Sequence, residues 1–256
     1  MKQRFDLHVH TNYSDGKSSP EEVVKAAIAL GLETIGISDH AYASCDSACM
    51  KWEQIPAYQA EIRSLAEKYK DQIRVLCGIE QDYKGTEPVD NYDYVIGSLH
   101  YMEICGEIVT VDHGPDHLRA AADKFFDGDI YCLCEEYYRE LANVIEVTKG
   151  DIIGHFDLIT KFNENDVLFD TKHPRYVAAW QAAADALLKT GKPFEINTGA
   201  ISRGYRVTPY PAPEIREYLK ERGATLFLSS DSHSASTLCN EFDKWESLTF
   251  GGLERW

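Results

Sequence analysis

The sequence predicts a parallel α/β barrel built on seven strands, and three observations predict it. Short apolar runs alternate with helical patterns along the chain, as parallel strands joined by crossover helices do. Most of these runs are apolar at every position, as in Thr34-Ile35-Gly36-Ile37 and Leu226-Phe227-Leu228, which fits strands covered on both faces. Histidines and acids stand at the C-terminal ends of the runs, where a barrel gathers side chains from all its strands onto one rim. An open sheet would spread seven strand ends along a line, too far apart to form one site. The 256 residues suit one such barrel, so 1–256 reads as a single domain.

The elements follow in order. Residues 4–9 read as a strand. Ser19, Pro20 and Glu22 mark a helix start, with Ser19 as N-cap and Glu22 completing a capping box. Val23, Ala27 and Leu30 then share a face, and Gly31 is the stop. Strands follow at 33–38, 72–79 and 92–99, with a helix over 53–70. An apolar stretch at 107–111 suits a hairpin. Helices are expected at 115–126 and 129–149, then a short strand at 151–154. A helix over 174–190 ends at Gly191 and one over 213–222 at Gly223, each followed by a strand, at 193–197 and 225–229.

Acids outnumber bases by 42 to 26, for a formal charge of −16. That charge argues against a nucleic-acid binder held by a basic surface, and against an anionic membrane as partner. A small phosphorylated substrate stays open, because a metal site supplies local positive charge. The opening MKQRFDLHVH has no apolar secretory core, and no stretch approaches the ~20 apolar residues of a membrane span. The seven cysteines are then expected as reduced thiols in the cytoplasm. Cys45-x3-Cys49 and Cys132-x-Cys134 each lack a second pair to complete a structural zinc site.

Of the nine histidines, six follow apolar runs: His8, His10, His40, His100, His155 and His233. Glu80 and Asn197 end other runs, and Asp231 shares the last run's end with His233. In a strand, residues two apart point the same way, so His8 and His10 can reach one ion. A rim of unpaired imidazoles and carboxylates costs free energy, and a metal cluster compensates all of them together. Asp39, beside His40, reads either as a partner that fixes an imidazole or as a surface or capping acid. His113, His117 and His173 lie outside the pattern and read as surface or loop residues.

Asp6-Leu-His8-Val-His10-Thr11, Ser38-Asp39-His40, Gly78-Ile-Glu80, Gly97-Ser-Leu-His100, Gly154-His155-Phe-Asp157 and Ser230-Asp231-Ser-His233 resemble the motifs of the PHP superfamily of metallophosphoesterases. Within it the chain resembles the histidinol-phosphate phosphatase branch. The resemblance implies a distorted (β/α)7 barrel with three divalent ions. His8, His10, Glu80 and Asp231 would hold the first, and Glu80 would bridge to a second completed by His100 and His155. Asp15, His40 and His233 would hold the third. Some relatives carry a histidine where this chain has Asp15, a harder ligand that bears on metal preference. Such donors suit Zn, Mn or Fe. Two ions ~3.5–4 Å apart can lower the pKa of a shared water and aim it at phosphorus. Asp231, His233 and Glu80 are the expected catalytic residues, with Asp231 also a candidate proton donor.

The expected reaction is hydrolysis of a small phosphate monoester, L-histidinol phosphate, to L-histidinol and inorganic phosphate. The alternatives are a phosphoesterase of the same superfamily acting on nucleotides or short oligonucleotides, and a non-catalytic metal-binding module. Arg203 and Lys161 follow the sixth and fifth strands and are the expected phosphate contacts. The segment 101–149 is long for a connection, and its aromatics, Phe125, Phe126, Tyr131, Tyr137 and Tyr138, read as packing.

Overall fold

The computed structural model describes residues 3–252. In chain order its elements are β1 (Phe5–Asp6), α1 (Pro20–Ala29), β2 (Thr34–Ile37), α2 (Ile55–Tyr69), β3 (Arg74–Asp82) and β4 (Tyr94–Ser98). There follow β5 (Tyr101–Ile104), β6 (Glu107–Thr110), α3 (Pro115–Phe126), α4 (Ile130–Leu141), α5 (Val144–Thr148) and β7 (Ile152–Ile153). The chain continues through α6 (Pro174–Leu188), β8 (Phe194–Asn197), α7 (Gly199–Ser202), α8 (Pro213–Glu221), β9 (Leu226–Ser229) and α9 (Phe242–Trp245). Seven strands form one parallel sheet in the order β1-β2-β3-β4-β7-β8-β9, and β5 and β6 form a separate antiparallel hairpin.

The sheet nearly closes. Val9 and Ser232 form a parallel bridge beyond the ends of β1 and β9, with His10 N donating to Ser232 O at 2.8 Å. Lower on the seam, side chains replace the ladder. Gln3 Nε2 donates to Leu228 O at 2.6 Å, and Leu228 N donates to Gln3 Oε1 at 2.9 Å. Asp6 Oδ1 accepts from Ser230 N at 3.1 Å. Gln3→Ala would orphan a buried backbone N–H and carbonyl, and should destabilise the protein by about 1–3 kcal/mol. Chemical denaturation would register this as a lower midpoint at constant slope; an unchanged midpoint would show that the seam holds without Gln3.

The barrel interior below the rim is filled by Leu7, Leu76, Tyr94, Ile96, Ile152 and Phe227. Tyr94 spans it, donating from its hydroxyl to Leu7 O at 2.6 Å. Gly36 and Gly78 make room for that side chain: a Cβ at Gly36 would stand 2.1 Å from its hydroxyl oxygen, and one at Gly78 2.2 Å from its ring. Outside the barrel, α1 and α2 cover one side of the sheet, and the 101–149 segment with α6 and α8 covers the other.

Most boundaries lie within two residues of expectation, and Glu22 and Ser19 form the capping box. The differences have local causes. The helix expected over 129–149 breaks at Ala142–Asn143. Asn143 leaves helical dihedrals (φ −109°, ψ 6°), and its side chain donates to Arg139 O at 3.2 Å. Leu30 lies past the last helical turn and is exposed, so the buried face of α1 is Val23, Val24 and Ala27. The connection from β3 to β4 carries no helix, which is one distortion of the alternation. The aromatics of 101–149 do pack. Tyr137 and Tyr138 are fully buried, and the Tyr138 and Tyr176 hydroxyls are 2.9 Å apart. All seven cysteines are free. Among the described residues no helix is long and apolar enough to cross a membrane.

Candidate metal centre

The strand ends deliver eight expected donors to one place, and the loop before α1 brings the ninth, Asp15. The Val9–Ser232 bridge fixes the backbone of His8 and His10, so both rings turn inward. Glu80 lies near the end of β3, the longest strand. Its N–H donates to Asp39 O at 3.0 Å, and its carbonyl accepts from Ala41 N at 2.9 Å. The carboxylate of Glu80, 1% exposed, is the hub. Its Oε2 lies 3.3 Å from His8 Nε2, 3.5 Å from His10 Nε2 and 3.0 Å from His40 Nδ1. Its Oε1 lies 2.9 Å from His155 Nε2 and 3.6 Å from His100 Nε2, and accepts from Ser98 Oγ at 2.6 Å.

Asp231 closes one side, with Oδ1 3.2 Å from His10 Nε2 and 3.8 Å from His8 Nε2. It sits at φ +46°, a backbone state uncommon for any residue but glycine and often found at functional sites. Gly199 permits this placement, since a Cβ there would meet the Asp231 carboxylate at 2.6 Å. Asp15 closes another side, 3.1 Å from His233 Nε2 and 3.8 Å from His40 Nε2.

Three groups of donor atoms are each compact enough for one ion: His8, His10 and Asp231; His10, Asp15, His40 and His233; His40, Glu80 and His100. His155 adjoins the last through Glu80. The partition differs in detail from the one the motifs implied, because His10 and His40 each reach two groups. The donors fit metal ions on a direct observation. His8 Nε2, both ring nitrogens of His10 and Glu80 Oε2 are buried without a hydrogen-bond partner, although oppositely charged atoms stand nearby. Leaving such atoms dry and unpaired costs free energy, which a cation at their centre recovers.

The electrostatics match. Burial would raise the Glu80 carboxyl, but His8, His40 and His100 hold it well below its ordinary range. Burial, with His233 and His40 nearby, drops His10 to about 3, so it is a neutral donor. His40 and His100 are opposed by burial, yet Glu80 lifts them to about 10 and about 9, so their protons supply the positive charge that a bound cation would replace. Burial likewise opposes ionisation of Asp231, and Arg203, His8, His10 and His233 outweigh it. Asp231 is thereby held in the ionised form a ligand needs, which counts against the role of proton donor.

Several residues that support the site escaped the sequence reading. Glu195 on β8, fully buried, accepts from His8 Nδ1 at 2.8 Å, from His155 N at 2.6 Å, from Asn197 Nδ2 at 2.9 Å and from Ser229 Oγ at 2.7 Å. Asp82 accepts from His100 N at 2.7 Å, with the ring Nδ1 at 3.3 Å. Asp39 is neither a surface acid nor an imidazole partner. It is buried and accepts from the backbone and hydroxyls of Thr11 and Ser14, so it holds the loop that carries Asp15. His113 and His117 are exposed, and His173 caps α6 by accepting from Arg175 N at 3.3 Å.

Above the cluster lies a polar cleft of about 160 Å³, and both expected bases line it. Arg203 donates to Asp231 Oδ2 at 3.0 Å and lies 2.8 Å from His233 Nδ1. Lys161 donates to Asp112 Oδ2 at 2.9 Å.

Comparison with known proteins agrees with this geometry. Residues 6–199 match the PHP domain model. A Deinococcus radiodurans protein named "Probable histidinol-phosphatase" is 30% identical over 243 residues, covering 89% of this chain and 85% of that protein. The Bacillus subtilis histidinol-phosphatase is 23% identical over 257 residues, covering 91% and 94%. Among solved structures, the Lactococcus lactis histidinol phosphate phosphatase, crystallised with zinc, L-histidinol and phosphate, superposes with a TM-score of 0.67 at 23% identity, covering 97% of each chain. With the rim motifs, the seven-stranded barrel and the family match in agreement, this chain belongs to the PHP domain family.

Proposed function

We propose that the protein is a metal-dependent phosphatase that hydrolyses L-histidinol phosphate to L-histidinol and inorganic phosphate. The observation that carries the reading is a set of nine donors centred on Glu80, all but the exposed Asp15 buried or half-buried, under a cleft walled by two bases. The names of the full-length relatives support the substrate, and the net charge of −16 favours a small ester over an oligonucleotide. We assign His8, His10, Glu80 and Asp231 to one ion, Glu80, His100 and His155 to a second, and Asp15, His40 and His233 to a third, with Zn, Mn or Fe as the metal. When bound, such ions neutralise phosphate charge and make a water acidic enough to act as nucleophile near neutral pH.

The chain's own residues do the rest. Glu195 holds His8 with Nε2 turned to the centre. Arg203 offers a planar fork at the mouth and steadies Asp231. Lys161 adds a point charge on the neighbouring loop, after β7. The test is release of inorganic phosphate, measured as kcat/KM, from L-histidinol phosphate and from nucleoside monophosphates. The reading expects a clear preference for the first; equal or reversed preference would overturn it.

Arg203→Lys keeps the charge and loses the fork. We expect kcat/KM to fall by roughly tenfold or more, as for one charge-assisted hydrogen bond, with metal content unchanged. Kinetics matching the parent protein would remove Arg203 from the phosphate site.

A further inference from the structure

We propose that Asp112 is a positioning residue for Lys161, so that the 101–149 segment takes part in phosphate binding. The inference rests on the reading that Lys161 meets the substrate phosphate. It starts from where Asp112 stands. The β5–β6 hairpin returns the chain to the barrel rim, and Val111, fully buried, donates its N–H to His100 O at 2.8 Å. That bond pins the next residue beside the end of β4. The Asp112 carboxylate then accepts from Lys161 Nζ at 2.9 Å, and its carbonyl oxygen lies 3.2 Å from the same nitrogen.

Lys161 leaves the short turn Leu158–Thr160 that follows His155, and its side chain is only 12% exposed. The rings of Phe162 and Tyr205 flank its ammonium, with centroids at 5.5 and 5.1 Å. A lysine has three N–H donors on a flexible four-carbon stem. Two are taken by Asp112, and one remains for a ligand in the cleft that both residues line. The pair carries no net charge, so what Asp112 supplies is orientation. The lysine is ordered before the ester arrives, and that ordering cost does not fall on binding.

Two opposed effects decide the sign of the test. Removing the Asp112 carboxylate relieves repulsion of a phosphate dianion, and it also frees Lys161. The inference states that the second prevails. Asp112→Asn should raise KM for the phosphate ester about five- to tenfold, less than the loss of a whole hydrogen bond to a charged group because Lys161 itself remains, with kcat nearly unchanged. The inhibition constant for inorganic phosphate should rise in parallel, and metal content by elemental analysis should stay at the parent level. Lys161→Met should cost a similar factor. The double variant should cost little more than either single one, because both remove the same device.

Three results would overturn the proposal. Additive losses in the double variant would show two independent roles. A lower KM in Asp112→Asn would show that the carboxylate only repels. A loss seen with an amine-bearing ester and absent with its des-amino analogue would place Asp112 on the substrate ammonium instead. The cycle can be run on whichever phosphate ester the protein turns over, so failure of the histidinol phosphate assignment stays separate from failure of this one.

Discussion

Glu80→Gln should abolish turnover. We expect kcat to fall by about 10³-fold or more, which is ~4 kcal/mol of transition-state stabilisation. The substitution keeps the shape and removes the charge. Five imidazoles stand within 3.6 Å of the two carboxylate oxygens, so no other single side chain is shared as widely. An amide nitrogen in place of either oxygen would point donors at ring nitrogens and could not ligate. Both bound metal and activity should therefore fall together, while the fold persists because the barrel core lies below the rim. Steady-state kinetics at saturating metal, with elemental analysis of the same sample, check this. Near-normal turnover with full metal content would mean that Glu80 is not the hub.

Glu195→Gln should have the next largest effect, although Glu195 reaches no cleft. Its carboxylate accepts four hydrogen bonds, one of them from His8 Nδ1, and so fixes the tautomer that leaves His8 Nε2 unprotonated. A glutamine must turn one N–H toward a donor that the carboxylate had satisfied. We expect apparent metal affinity to fall by about 10–100-fold, with activity partly restored by excess metal. Activity titrated against metal concentration reads this directly. A midpoint equal to that of the parent protein would assign Glu195 to folding alone.

The two variants also mark how far the sequence could be read. Glu80 was legible because it ends an apolar run, as do the six rim histidines, and a polar residue at a strand end needs a reason. Glu195 was missed because it lies inside such a run, Phe194-Glu195-Ile196-Asn197, where the all-apolar rule hides it. A signal was present: a carboxylate two residues before Asn197 faces the same side of the strand. Asp82 follows Glu80 at the same spacing and was missed for the same reason. Asp39 was seen but its role stayed open, since only the folded loop shows which backbone groups it satisfies. The fold was readable from alternation and apolar runs. Its seam was not, because Gln3 and Asp6 close the barrel through side chains that carry no periodic signature. Asp112 was illegible in another way. Its partner is 49 residues away, and no local pattern joins a hairpin exit to the turn after β7.

The central claim is that one multinuclear metal cluster is gathered around Glu80. Elemental analysis of gently purified, metal-saturated protein tests it most directly. The account predicts a stoichiometry approaching three divalent ions per chain, held by the nine donors that the strand ends and the Asp15 loop bring together. Saturation at a single ion with all nine donors intact would contradict it.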